Sequence, residues 1–186
     1  MYTQEQKQTL VSIARSSIQN GLHTDKPEII NLGNHDSDLQ EIRATFVTLK
    51  ILETLRGCLG TLEARYPLAK SVAEYAYAAA FRDPRFKPLS EDEFDVITLN
   101  ISILTPAEPI EFDSDAELVQ QLNPGIDGLI IQSGHRSATF LPAVWESLSD
   151  AKQFLSQLKA KAQIRPDENL TAASRYMAIE ICENNI

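Results

Sequence analysis

The sequence predicts an α+β fold, mostly antiparallel sheet with flanking helices, arranged as two closely packed lobes. Three observations carry this. Short segments with two-residue alternation of apolar side chains mark strands, and longer segments with apolar residues three and four apart mark helices. The strands come in pairs with short connections, the pattern of antiparallel hairpins rather than parallel crossovers. The order helix, two strands, helix, strand occurs twice along the 186 residues, which reads as a structural duplication.

The first helix starts at Thr3, where Gln6 three places on completes a capping box. Leu10, Ile13, Ala14, Ile18 and Leu22 follow at helical spacing, and Gly21 is expected to stop it. Asn31 to Gln40 is polar and reads as a loop. Glu41 to Lys50 alternates, with Ala44, Phe46 and Thr48 on one face and Thr45, Val47 and Leu49 on the other. Leu55 to Glu63 is its hairpin partner, although the turn Lys50-Ile51-Leu52-Glu53 lacks the usual Gly or Asn. Pro67 suits the first turn of a second helix, whose apolar face is Leu68, Val72, Tyr75, Ala76 and Ala79 and which ends near Asp83-Pro84. Val96 to Leu104 is a strand with Ile97, Leu99, Ile101 and Ile103 on one face, closed by Thr105-Pro106.

The second round begins with a capping box at Ser114 and Glu117, and Asn123-Pro124-Gly125 breaks that helix. Leu129 to Gln132 and Ser137 to Leu141 form a hairpin. Ser149 is expected to cap a helix bearing Phe154, Leu155, Leu158 and Ala162. A last strand is expected from Arg175 to Cys182, with Met177, Ile179 and Ile181 inward. Residues 1–186 thus read as one domain of two interdependent lobes dividing near 107–113, where Ile110 and Phe112 argue against a free linker.

A chain of this length buries roughly 70% of its unfolded surface and needs no metal or disulfide to hold a core. Seventeen basic against 26 acidic residues leave a net charge of −9, which argues against nucleic acid and anionic membranes as partners. No apolar run approaches a membrane span, and the polar start at Met1 to Gln8 has no signal character, so a cytoplasmic location is expected. Cys58 and Cys182 form no disulfide framework, and with three scattered histidines they make no metal-ligand set. The strong enzyme motifs are missing, and the sequence names no cofactor.

One segment stands out. In Leu55-Arg56-Gly57-Cys58-Leu59-Gly60, two glycines weaken a strand, a cost accepted where something approaches the backbone or the chain bends. Alternation puts Arg56, Cys58 and Gly60 on one face, with neighbours on that face roughly 6.5–7 Å apart. Arg56 there would favour the Cys58 thiolate, or hold a carboxylate or phosphate beside it. The competing reading is that Cys58 is a small buried hydrophobe. A second cluster, Phe81-Arg82-Asp83-Pro84-Arg85-Phe86, is either a structural ion pair between anchoring rings or a pocket wall presenting Asp83 and Arg85. Asp127-Gly128 is first a turn signal, and Arg136 and Thr139 are candidates to line a cleft. His135 is a weak base candidate beside a turn. Trp145 and Tyr176 read as core, and Cys182 as packing.

The segment 55–60 resembles the signature of the AMMECR family. The likeness extends through Ala-Ala-Phe-Arg-Asp-Pro-Arg-Phe at 79–86, Leu-Asn-Ile-Ser-Ile-Leu at 99–104, Gly-Ile-Asp-Gly-Leu-Ile-Ile at 125–131 and Ala-Thr-Phe-Leu-Pro-Ala-Val-Trp at 138–145. The blocks keep the family's order and span nearly the whole chain. Lys50 to Thr54 departs from the Asp-Gly-type turn often found in such proteins. The resemblance implies an α+β protein of two packed lobes with a functional arginine–cysteine signature. It also implies a place beside radical-SAM and Memo-family proteins in an AmmeMemoRadiSam system. Carried over by position, Arg56 and Cys58 are candidate catalytic residues, and Gly57, Gly60, Asp83, Arg85, Phe86, Asp127 and Thr139 are candidate binding residues. Two functions stay open. In one, an enzyme or enzyme component uses Cys58 as nucleophile or redox thiol on a small anionic substrate, with Asp83 or His135 as proton carrier. In the other, a non-catalytic module binds a ligand or protein and Cys58 only fills space.

Overall fold

A computed structural model describes residues 2–186. Six α-helices and nine strands follow in chain order: α1 (Gln4–Thr24), α2 (Ser37–Gln40), β1 (Ile42–Ile51), β2 (Thr54–Gly60), β3 (Tyr66–Pro67), α3 (Leu68–Phe81), α4 (Glu91–Phe94), β4 (Thr98–Leu104), β5 (Glu108–Pro109), α5 (Asp115–Gln121), β6 (Gly128–Ser133), β7 (Arg136–Phe140), α6 (Ala151–Lys161), β8 (Ala172–Tyr176) and β9 (Ala178–Cys182). The described residues divide into two compact units, one of residues 2–104 with 179–186 and one of residues 105–178.

In the first unit the strands lie in the order β2-β1-β4-β9, with β3 paired to the start of β1. The helix-facing sides of β1 and β4 bury Val47, Leu49, Leu99, Ile101 and Ile103, with Ile97 just before β4, against Leu10, Ile18, Leu68, Val72 and Ala76 of α1 and α3. The Thr3–Gln6 capping box forms as expected. Gly21 does not end α1. The helix runs to Thr24 and stops at Asp25, whose φ of 60° is left-handed. Gly21 is buried at a helix crossing, where a Cβ would lie 2.4 Å from the Phe81 ring and 2.7 Å from that of Tyr77. Glycine here admits a close neighbour rather than a chain reversal. Part of the expected loop is ordered, as a 3-10 turn at Leu32–Asn34 and as α2. Pro67 caps α3 rather than entering its first turn.

The β1–β2 turn closes with two residues, Leu52 and Glu53, both at positive φ (48° and 63°), as a type I′ turn requires. The chain adopts this geometry without Gly or Asn there, and the ladder carries a bulge between Leu49 and Lys50. Strand β2 stops at Gly60, short of the expected Glu63.

In the second unit the order is β5-β8-β6-β7. Trp145 and Phe154 stack at 3.7 Å with 2° between their planes, inside a core of Leu118, Leu129, Ile131, Leu155 and Leu158. Ser114 caps α5, but Glu117 returns to the Asp113 N–H instead of closing the box on Ser114. Asp150, not Ser149, caps α6 by accepting the Gln153 N–H. The β6–β7 hairpin turns at Gly134 (φ 58°) and His135.

The expected strand Arg175–Cys182 is two strands in different sheets. Met177 sits at the break and is 49% exposed, so it is not inward; Ile181 is buried and Ile179 half-buried. The helix–hairpin–helix–strand order recurs as α1-β1-β2-α3-β4 and α5-β6-β7-α6-β8. The pairing recurs too: each repeat's last strand lies beside the first strand of its hairpin, giving β2-β1-β4 and β7-β6-β8. The segment after each last strand then supplies the other repeat's fourth strand, since β5 joins β8 and β9 joins β4.

Candidate functional site

The first unit gathers seven of the nine candidates. Register pairs Cys58 with Thr48, and Thr48 with Asn100 on β4. Their side chains share the sheet face turned away from α1 and α3. Cys58 is half-buried there, and its sulfur accepts the Thr48 hydroxyl at 3.2 Å. Cys182 lies on the same row and donates its S–H to Asn100 Oδ1 at 3.1 Å. It is a half-buried polar neighbour rather than packing. Cys58 and Cys182 stand three strand spacings apart, about 14 Å, too far for a disulfide. Glu180 accepts Asn100 Nδ2 and Ser102 Oγ, each at 2.8 Å, so both ends of the Asn100 amide are bonded to β9.

The two glycines serve the protein's own packing. A Cβ on Gly57 would lie 2.2 Å from the Ala79 carbonyl, where the end of α3 crosses β2. One on Gly60 would lie 2.4 Å from both the Phe46 ring and the Thr45 carbonyl. The close approach expected from the sequence is made by helix, ring and neighbouring strand.

Strand β2 is a sheet edge, and Asp83 and Arg85 cover it at Cys58. Asp83 Oδ2 accepts the Cys58 N–H at 2.9 Å, and Arg85 Nη2 donates to the Cys58 carbonyl at 3.1 Å. The pair thus does for Cys58 what a neighbouring strand's backbone would do, and it blocks further strand addition. Asp83 is 4% exposed and holds Arg85 through two charge-assisted bonds, Nε to Oδ1 at 2.9 Å and Nη2 to Oδ2 at 2.6 Å. These bonds, helped by the N–H groups of Cys58 and Arg85, keep the Asp83 carboxyl well below the usual carboxylate range despite its burial. Asp83 acts here as a clamp, with its carboxylate contacts going to Arg85 and to the Cys58 N–H. Arg85 is half-exposed, and its Nη1 has no hydrogen-bond partner among the described residues.

Arg56 is tied elsewhere. Its Nε and Nη2 bind the two carboxylate oxygens of Glu93 at 2.7 and 2.9 Å, and Nη2 also donates to the Lys87 carbonyl. No hydrogen bond joins it to Cys58. The Arg56 bonds, then the Ser90 N–H, pull the Glu93 carboxyl down to about 2. Arg56 Nη1 is buried with no partner among the described residues. The Phe86 ring lies between the two arginines, 5.8 Å from the Arg56 guanidinium carbon and 5.5 Å from that of Arg85. The guanidinium beside Cys58 is thus that of Arg85, which donates to the Cys58 carbonyl.

Thr48, Glu93 and Asn100 were not singled out by sequence. Glu93 carried a signal, since Ser90 three places earlier marks a helix start that Glu93 reaches back to. Thr48 and Asn100 carried none, because their closeness to a thiol depends on strand register.

Asp127 and Thr139 belong to the second unit, where each has partners of its own. Asp127 is buried, and its carboxylate accepts the Asn123 N–H and Nδ2 while its carbonyl accepts Trp145 Nε1 at 2.7 Å. It closes the 123–127 turn over the tryptophan. The Thr139 hydroxyl bonds that of Tyr176 at 2.9 Å, and burial pushes the Tyr176 phenol up to about 12. Arg136 pairs with Glu168 and donates to the Gln163 carbonyl, and His135 is exposed at the hairpin tip.

The class defined so far is an α+β protein of two similarly ordered units, with a half-exposed thiol on an open sheet face beside a clamped arginine. The AMMECR1 family model matches residues 11–181, and the chain belongs to that family. A protein of Methanothermobacter thermautotrophicus is 38% identical over 170 residues, covering 89% of this chain and 86% of its own. One of Saccharolobus islandicus is 38% identical over 179 residues, covering 91% and 78%. The crystal structure of uncharacterized protein PH0010 from Pyrococcus horikoshii superposes with a TM-score of 0.79 at 33% identity, covering 92% of this chain and 88% of that one. No helix among the described residues is long and apolar enough to cross a membrane.

Proposed function

We propose that the open face of β2 takes up a small anionic group, from a substrate or an acidic partner, beside the Cys58 thiol. The observation that carries this is the pinning of Arg85. One edge of its guanidinium is fixed by Asp83 and by the carbonyl of Cys58, the residue that carries the half-exposed thiol, which leaves Nη1 without a bond among the described residues. The Thr48 hydroxyl supports the thiolate by donating to the sulfur. Asp83 is committed to Arg85 and to the Cys58 N–H, so this reading gives it no proton to transfer. The reading is therefore an enzyme component that supplies a thiol and an anion site while partner proteins supply further chemistry. The family resemblance nominates radical-SAM and Memo proteins as those partners and the cytoplasm as the place. The two units work as one domain in this reading.

The test is Cys58 alkylation by iodoacetate against neutral iodoacetamide, in a Cys182→Ser background. An anion-attracting thiol raises the iodoacetate share, and Arg85→Gln lowers it about 3- to 5-fold, the Coulomb effect expected of one charge at this range. An unchanged ratio in Arg85→Gln overturns the reading. Alkylation only after unfolding favours the alternative, a non-catalytic module in which Cys58 is structural.

A further inference from the structure

We propose that Phe86 gates a two-arginine oxyanion site, its ring holding the place that a carboxylate or phosphoryl group takes when bound. The inference rests on the reading of this face as an anion site and adds its ligand class and its control.

Both guanidiniums are saturated on one edge and bare at the other end. Arg56 gives Nε and Nη2 to Glu93, and Arg85 gives Nε and Nη2 to Asp83. Both leave Nη1 without a hydrogen-bond acceptor among the described residues, and in Arg56 that atom is fully buried. A buried guanidinium nitrogen without an acceptor is destabilising and calls for a reason. The Phe86 ring supplies a partial one, since its negative π-face lies within 6 Å of both cations. The phenyl group is thus an uncharged stand-in for an anion. Whatever occupies its place meets both arginines, because the ring does.

The ring is not anchored in a helix or strand. Phe86 is half-buried and lies in the segment between Arg82 and Ser90, which contains neither helix nor strand. Its backbone is tied to the fold by the Phe86 N–H to Asp83 carbonyl bond, so the side chain can swing out while Arg85 stays clamped. A departing ring opens Arg56 Nη1 to an oxyanion and exchanges a weak π contact for a charge-assisted hydrogen bond.

The experiment titrates the folded full-length chain with inorganic phosphate and, separately, with acetate, following amide shifts around residues 56–58 and 83–87. Phe86→Ala removes the stand-in and is expected to bind at least one of the two anions fivefold or more tighter than wild type. Phe86→Trp keeps a stronger π-face and gains nothing. Arg56→Lys, which retains a charge for Glu93 but lacks Nη1, cancels the Phe86→Ala gain in the double variant. A gain for phosphate alone assigns a phosphoryl ligand, and a gain for acetate assigns a carboxylate. No gain for either, or a gain that survives Arg56→Lys, overturns the gate. If Phe86→Ala does not fold by circular dichroism, Phe86→Val, smaller than the ring and without a π-face, must show the gain instead. The underlying site is judged separately: loss of the iodoacetate preference in Arg85→Gln without tighter binding in Phe86→Ala keeps the site and removes the gate.

Discussion

The two repeats share their strand order but use the same clasp for different ends. In each, an arginine on the second hairpin strand pairs with a glutamate from the segment between the repeat's second helix and its last strand. These pairs are Arg56–Glu93 and Arg136–Glu168. The registers differ: Arg136 opens β7 directly after its turn, whereas Arg56 lies two places into β2. Exposure differs as well, with the Arg56 side chain 12% exposed and that of Arg136 43%. Because the clasp occurs in both, its first role is to tie a long segment to the hairpin, and Arg56 owes much of its geometry to that. What only the first unit has is the thiol, the Asp83–Arg85 cover over its backbone, and the buried bare nitrogen. Function is better sought in that difference than in the arginine alone.

The largest expected contrast is between glycines. Gly57 faces the backbone of α3 and Gly128 faces the Tyr176 ring, which lies 2.4 Å from where a Cβ would be. A helix carbonyl cannot move without its helix, whereas a ring can tilt. Gly57→Ala is therefore expected to cost about 3 kcal/mol in urea unfolding and Gly128→Ala about 1–2 kcal/mol. Equal costs would show that the α3–β2 crossing is no tighter than an aromatic contact. Gly57→Ala should also change the amide shifts of Cys58 and Asp83, since the strand must move off the helix.

A smaller contrast tests the clasp. Arg56→Gln strips Glu93 of both bonds and the Lys87 carbonyl of its donor in a mostly buried setting, for about 1–2 kcal/mol. Arg136→Gln, at a half-exposed site, is expected to cost under about 1 kcal/mol. If Arg136→Gln proves the costlier, burial does not rank the two clasps, and the Gln163 and Ser133 contacts of the second loop carry more than the ion pair.

Much of this architecture was legible in sequence wherever a single face is buried. Ile97, Leu99, Ile101 and Ile103 were placed on one side of a strand and are all buried, because alternation and burial share a period of two. The same rule misled at Met177. Alternation runs unbroken from Arg175 to Cys182 while the chain changes sheets, and a change of partner leaves no mark on spacing. Gly21 misled for another reason: a glycine near a helix end reads as a stop, and only the α3 rings show it to be a crossing. At the site, the residue types of the signature were legible, but the pairing was not. Adjacency on β2 suggested Arg56 for Cys58, whereas side-chain reach assigned Arg56 to Glu93 and brought Arg85 in from 27 positions away.

The smallest expected effect concerns acid. Arg56, and after it the Ser90 N–H, lower the Glu93 carboxyl from its ordinary 4.5 to about 2. A carboxyl lowered on folding adds stability that is complete above its unfolded value, fades as pH falls from there, and is gone below the folded value. For Glu93 the window runs from pH 4.5 down to about 2. Glu168 is lowered too, by the Ser133 hydroxyl first and by Arg136 next, so its contribution is also lost on acidification. Asp83, held lower by Arg85, starts to lose its contribution below its ordinary 3.8 and goes on losing it at pH values below the Glu93 window. Urea midpoints of wild type and Glu93→Gln should therefore converge between pH 4.5 and 2, because the wild type loses there what the variant never had. Glu168→Gln should converge less, its carboxylate having the more exposed arginine. Parallel curves for Glu93→Gln would mean that the Arg56–Glu93 contact adds no proton-linked stability. Arg56 would then be held by packing against Phe86, and its bare nitrogen would have to be explained from the ring alone.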